Sequence, residues 1–99
     1  MGYEIYLSPH DEKQSTPLDL VVSALSGAGL SATIQTDNFG HWVIFAGFDS
    51  ALNLEVKDGL VKSGGMKLNE ADDPALLEKI VRTFHGLNWS VGDDEGELE

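Results

Sequence analysis

Histidine titrates near neutral pH and is the commonest metal ligand, so the three histidines of this chain, His10, His41 and His85, are the first places to look for chemistry. No pair of them has the His-Glu-x-x-His spacing that would set two imidazoles on one helix face around a zinc ion. His85 falls in the last turn of an expected helix, where a partial positive charge suits the dipole, and His41 opens an expected strand beside Trp42. His10 differs from both. His10-Asp11-Glu12 sits in a polar loop just ahead of a helix start, which makes these three residues a candidate ligand loop.

Other constellations fail on spacing. A phosphate loop needs Gly, four residues, Gly, Lys and then Ser or Thr, but after Gly59 the next glycines are Gly64 and Gly65, followed by Met66 and Lys67. Gly64-Gly65 therefore reads as a strand bend or flexible tip. No Gly-x-Ser-x-Gly nucleophile elbow occurs. The adjacent acids Asp72-Asp73 stand ahead of Pro74 and are accounted for by helix capping. The chain has no cysteine, which removes disulfides, thiolate zinc sites and a cysteine nucleophile. No catalytic residue, cofactor or metal site is expected, and the residues carry no family's motif set.

Charge is the strongest compositional signal. Seventeen acidic residues against six basic ones give a formal charge of −11, and five of the acids are Asp93, Asp94, Glu95, Glu97 and Glu99. Without those five the charge is −6, so the body of the chain is acidic too. Nucleic acid and anionic membrane both call for a basic footprint and are not expected partners, whereas a basic protein is electrostatically favoured. The N-terminal residues lack a basic region and an apolar core, and no stretch approaches the ~20 apolar residues of a membrane span, so a cytoplasmic protein is expected. Leu98-Glu99 reads as a remnant of an expression vector.

The elements that must position these residues can be read from periodicity. Ninety-nine residues, 41% hydrophobic and 23% charged, suit one globular core. Residues 3–7 alternate, with Tyr3, Ile5 and Leu7 on one face and Glu4 and Tyr6 on the other. Thr16 as N-cap and Pro17 at the first turn then open a helix whose stripe is Leu18, Val21, Val22 and Leu25, with Gly27 or Gly29 as its left-handed stop. Leu30, Ala32 and Ile34 mark a second strand. His41 to Ala46 is apolar on both faces after its first residue, which predicts a central strand covered on two sides. Leu52, Leu54 and Val56 lead to an Asp58-Gly59 hairpin and a return strand through Met66 and Leu68. Asp73-Pro74 opens the second helix, striped by Leu77, Ile80, Val81 and Phe84, with Glu78 and Arg82 paired outside and Gly86 past its end. Leu87, Trp89 and Val91 form the last strand.

The predicted fold is thus α+β. A single domain over residues 1–92 has a mainly antiparallel sheet of five or six strands, with two helices on one face, in the order β-α-β-β-β-β-α-β. Identical spacing from Thr16-Pro17 to Gly29-Leu30 and from Asp73-Pro74 to Gly86-Leu87 suggests two similar halves, as in an elaborated ferredoxin-like plan. Residues 93–99 are expected to form a disordered acidic tail.

Function is expected on a surface, since a chain this small has little room for a deep cavity. Leu20, Ala24 and Ala28 widen the apolar arc of the first helix to roughly 200° at 100° per residue, more than one covered face needs. These three are candidate contact residues, for a partner or for a second copy. The leading expectation is an acidic binding module that docks a basic protein, as an inhibitor or immunity-type antagonist would. The alternatives are a small-ligand binder or enzyme using His10, Asp11 and Glu12, and a homo-oligomeric structural or regulatory subunit joined through the first helix.

Overall fold

The computed structural model describes residues 3–11, 13, 16–38, 40–69 and 71–98. The described elements run β1 (Tyr3–Pro9), β2 (Thr16–Pro17), α1 (Leu18–Gly27), β3 (Ala32–Asp37), β4 (Gly40–Phe45), β5 (Ala51–Lys57), β6 (Leu60–Leu68), α2 (Ala75–Gly86), β7 (Trp89–Asp93) and β8 (Gly96–Glu97). The strands form one antiparallel sheet in the order β3-β4-β5-β6-β1-β7-β8, with β2 pairing β6 off this path. The fold is therefore α+β, with eight strands rather than five or six. The two additions, β2 and β8, are two residues each, too short to carry a periodic signal.

The alternation of apolar residues decides which face the helices cover. Ile5 and Leu7 of β1, Val43 and Phe45 of β4, Leu52 and Leu54 of β5, Met66 and Leu68 of β6, and Trp89 and Val91 of β7 are all buried. They meet Val21 and Leu25 of α1 and Leu76, Ile80 and Phe84 of α2 in one cluster. Both helices lie on that face. Among the described residues, no helix is long and apolar enough to cross a membrane.

Capping explains the largest departures. Thr16 is a buried strand residue, not an N-cap, and its Oγ1 accepts a hydrogen bond from Trp89 Nε1 at 3.0 Å. Pro17 takes the cap position without a side-chain bond, while the Leu18 N–H donates to the Gly59 carbonyl at the hairpin tip. The indole N–H of Trp89 has no water to turn to, since the residue is fully buried. An exposed helix end does have water, so the threonine hydroxyl serves the greater need. Thr16→Val is expected to cost about 1–3 kcal/mol by leaving that N–H unpaired, measured by denaturant unfolding.

At α2 the predicted start holds, with Asp73 Oδ1 accepting from the Ala75 N–H at 2.9 Å. Asp72 does something else. Its carboxylate accepts from the backbone N–H groups of Asp49 and Ser50 and from the Ser50 hydroxyl, tying the β4–β5 turn to the segment before α2. The hydroxyl bond from Ser50, then the backbone bond from Asp49, hold its carboxyl below the usual carboxylate range. The two helices end alike, each on a left-handed residue two past its last helical one, but that residue is Gly29 after the ten-residue α1 and Asn88, not Gly86, after the twelve-residue α2. Their equal sequence spacing therefore does not reflect equal geometry.

Three further expectations are corrected. Strand β4 is next to the β3 edge of the sheet, not in its middle, and its second face is open: Ile44 is 37% exposed and Trp42 half-buried. Gly64 and Gly65 lie inside the continuous strand β6, not at a bend or tip; the irregularity falls earlier, opposite Glu55 and Val56. Residues 93–98 do not leave the fold. Asp93 Oδ1 accepts from the Glu95 N–H, Gly96 adopts φ 133°, and β8 pairs back on β7. Leu98 then donates its N–H to the Val91 carbonyl and packs against the core, an apolar anchor that the acidic composition concealed. Glu99 lies outside the described residues.

Candidate functional site

The candidate loop and helix positions stand apart from one another. His10 is fastened to the C-terminal half of the chain. Its N–H donates to the Asn88 carbonyl, its Nδ1 lies 3.0 Å from Asn88 Oδ1, and its Nε2 lies 3.7 Å from Glu97 Oε1. Both ring nitrogens thus face structural neighbours. Asp11 Oδ1 accepts from the Lys13 N–H within its own turn, and Glu12 lies outside the described residues. On α1, Leu20 is 48% exposed while Ala24 and Ala28 are half-buried. A cleft of about 540 Å³ runs along α2, lined by Leu77, Glu78, Val81, Arg82, His85 and Leu98.

A different surface brings more recognition chemistry together. On the sheet face away from the helices, the strand register aligns Trp42, Asn53, Gly65, Tyr6 and Gly92 in one row across β4, β5, β6, β1 and β7. Trp42 and Tyr6 stand three strands apart, about 14 Å at normal strand spacing. Between them, a Cβ built on Gly65 would meet only the Ile5 carbonyl, at 3.8 Å. The missing side chain leaves a shallow hollow of about 270 Å³ lined by Glu4, Tyr6, Trp42, Ala51, Asn53 and Lys67, among others. The neighbouring row on the same face is Ile44, Ala51, Lys67 and Glu4.

No protein-family model matches the chain, and no curated protein or solved structure is significantly similar to it. The surface must therefore be judged on its own chemistry.

Its electrostatics are lopsided. The Tyr6 hydroxyl donates to Glu4 at 3.2 Å, and nearby Asp94, more than that bond, raises the Tyr6 pKa above its ordinary value. The β7–β8 turn therefore brings its acids to the rim of the open face. Tyr3, Glu4, Asp93, Asp94 and Glu95 together line a second depression there, of about 410 Å³. At the other end, Trp42 Nε1 donates to Asp37 Oδ1 at 3.3 Å, which turns the indole along the face. Glu55 accepts from the Ser63 hydroxyl on a flanking row. Lys67, opposite Glu4 in the register, is a basic residue that lines the hollow.

The Tyr3 hydroxyl donates to Asp93, and this bond, ahead of desolvation and the nearby charges, pushes the Tyr3 pKa up to about 12. The same bond, with backbone donors from the turn, lowers the Asp93 pKa. A tyrosine whose folded pKa is raised stabilises the fold fully below its unfolded value near 10, and that contribution is lost as pH climbs through about 12. For Asp93 the contribution is present above its ordinary value of 3.8 and is lost as pH falls through its lowered folded value. Ultraviolet titration of the two tyrosines should therefore show neither half-ionised at pH 10, with the later step near 12. A step of full single-tyrosine amplitude centred at 10 would contradict the geometry.

Sequence reasoning placed Tyr6 with Glu4 on the face opposite Ile5 and Leu7 but did not place Trp42 on an open surface. The apolar run Trp42 to Ala46 fits a strand buried on both sides as well as one that presents an aromatic surface, and periodicity alone does not separate the two.

Proposed function

We propose that the protein is a small acidic binding module whose open sheet face docks a basic, arginine- or lysine-rich stretch of a protein partner, in the manner of an inhibitor or antagonist. The observation that carries this reading is the row Trp42, Asn53, Gly65 and Tyr6, two aromatic side chains on either side of a hollow on a face that no described helix covers. An arginine guanidinium stacks on such rings with about 0.5–2 kcal/mol of attraction, depending on how far water is excluded. Glu4, Asp37 and Asp94 at the ends of the row supply opposite charge. The Asn53 side chain offers both a donor and an acceptor beside the hollow.

The acids around the face speed encounter with a cationic segment, and the aromatic pair holds it once it is seated. Association with a synthetic arginine-rich peptide should weaken steeply as salt rises, while a peptide of equal length with glutamate in place of arginine should not bind. Affinity indifferent to ionic strength would remove the electrostatic half of the proposal, and equal binding of both peptides would end it.

A further inference from the structure

We propose that the outer edge of β3 pairs with the same edge of a second copy, giving a two-fold dimer with one continuous antiparallel sheet. Strand β3 ends the sheet order, and no described strand pairs with its outer side. Its backbone orientation follows from the register. The Ala46 N–H donates to the Ser31 carbonyl at 3.0 Å, and hydrogen-bonded pairs alternate along an antiparallel ladder. Thr33, Gln35 and Asp37 therefore turn their backbone polar groups toward β4, while Ala32, Ile34 and Thr36 turn theirs outward. The opposite edge, β8, is only two residues long and offers little to pair with.

Exposed edges are usually blunted by lysine, proline, a bulge or brevity. Ala32-Thr33-Ile34-Gln35-Thr36-Asp37 has none of these: it is six residues long, rich in β-branched side chains, and charged only at its last position. An axis through Ile34 makes the strand self-complementary. Ile34 then exchanges backbone hydrogen bonds with Ile34 of the other copy, and Ala32 does so with Thr36. Thr33 faces Gln35, and Asp37 meets Ser31 rather than a second Asp37. The Ile34 side chain, partly buried against the core, gains its own counterpart across the junction.

Charge opposes a second copy only weakly at this edge despite the net −11. The acids of the β7–β8 turn and Glu4 lie four or more strands from β3, about 19 Å or farther at normal strand spacing, beyond the ~8 Å screening length of physiological salt. Joining the copies at β3 places their acidic ends at the two extremities. The edge adjoins the open-face row, since Gln35 stands opposite Trp42 and Asp37 accepts from its indole, but the dimer uses the outward backbone groups of Ala32, Ile34 and Thr36 and does not depend on what that face binds.

Sedimentation equilibrium of the full chain should show a concentration-dependent dimer. Thr36→Pro removes an outward N–H without touching the β3–β4 ladder, and should abolish the dimer while leaving the melting temperature near that of the parent. Thr33→Glu combined with Gln35→Glu sets like charges opposite each other twice in the proposed register and should weaken dimerisation about tenfold. Thr33→Lys combined with Gln35→Glu sets opposite charges there and should restore it. A protein that stays monomeric at millimolar concentration, a dimer indifferent to Thr36→Pro, or equal dimerisation by the two charge variants would each overturn the proposal.

Discussion

Gly64→Val is expected to destabilise the fold by about 3 kcal/mol, because it overpacks a closed core. A Cβ on Gly64 would stand 2.9 Å from Leu54 Cδ2, 3.1 Å from the Asn53 carbonyl oxygen and 3.2 Å from Leu7 Cδ1. The leucine methyls cannot retreat freely, since Leu7 and Leu54 are each 1% exposed, and the carbonyl belongs to the sheet backbone. Valine adds two more methyls to that space. The neighbouring substitution, Gly65→Val, points to the other face, where the nearest atom to a new Cβ is 3.8 Å away. It should leave stability unchanged or raise it by about 1 kcal/mol, as a β-branched residue replaces glycine within a strand. Parallel denaturant titrations check the pair, and equal losses at both positions would mean that the two faces of β6 have been misassigned. Gly65→Val should also fill the hollow between Trp42 and Tyr6, separating binding from stability in one variant.

Trp42→Ala is expected to weaken binding of an arginine-rich peptide about thirtyfold, the ~2 kcal/mol typical of a tryptophan hot spot. Its effect on folding should be small, since the indole packs outside the core cluster and its polar contact is with Asp37 near the β3–β4 turn. Calorimetric titration measures the first quantity and thermal unfolding the second. Loss of binding in proportion to loss of stability would assign Trp42 to the fold rather than to recognition. Trp89→Ala offers the contrast, because that indole is fully buried against Phe84, with ring centroids 5.5 Å apart, and its removal should unfold the protein without informing on the face.

Much of the architecture was legible wherever local and long-range demands agree. Asp58-Gly59 forms the expected tight turn with φ of 55° and 78°, the pattern that matches strand twist. Leu52 and Leu54 alternate into the core as read, Asp73 caps the second helix, and Glu78 pairs with Arg82 at 2.9 Å. Reasoning failed where a distant partner outbid a local preference. Thr16 carries a cap signature, yet a tryptophan remote in sequence claims its hydroxyl. Asp72 looks like a second cap and instead clamps the turn at Ser50. The residues from Asp93 onward look like a solvated tail until Leu98 is seen to anchor the return.

The open face was hidden for a related reason. Hydrophobic alternation tells which residues share a side of a strand, but not whether both sides are covered. Tyr6 beside Glu4 and Ser8 was readable as solvent-facing, whereas Trp42 and Ile44 lay in a run without polar interruption. Only the register shows that Tyr6 and Trp42 belong to one row with a glycine between them.

That row is most directly tested by nuclear magnetic resonance of the labelled full chain, titrated with an arginine-rich peptide at low salt. The largest shifts should fall on the Trp42 indole N–H, the Asn53 side-chain amide, and the Gly65 and Tyr6 backbone amides, with α1 and α2 unmoved. Shifts centred on Leu20 and Ala24, on the His10 loop, or on the α2 cleft around Leu77 and Val81 would contradict the proposal and move the binding surface to that element.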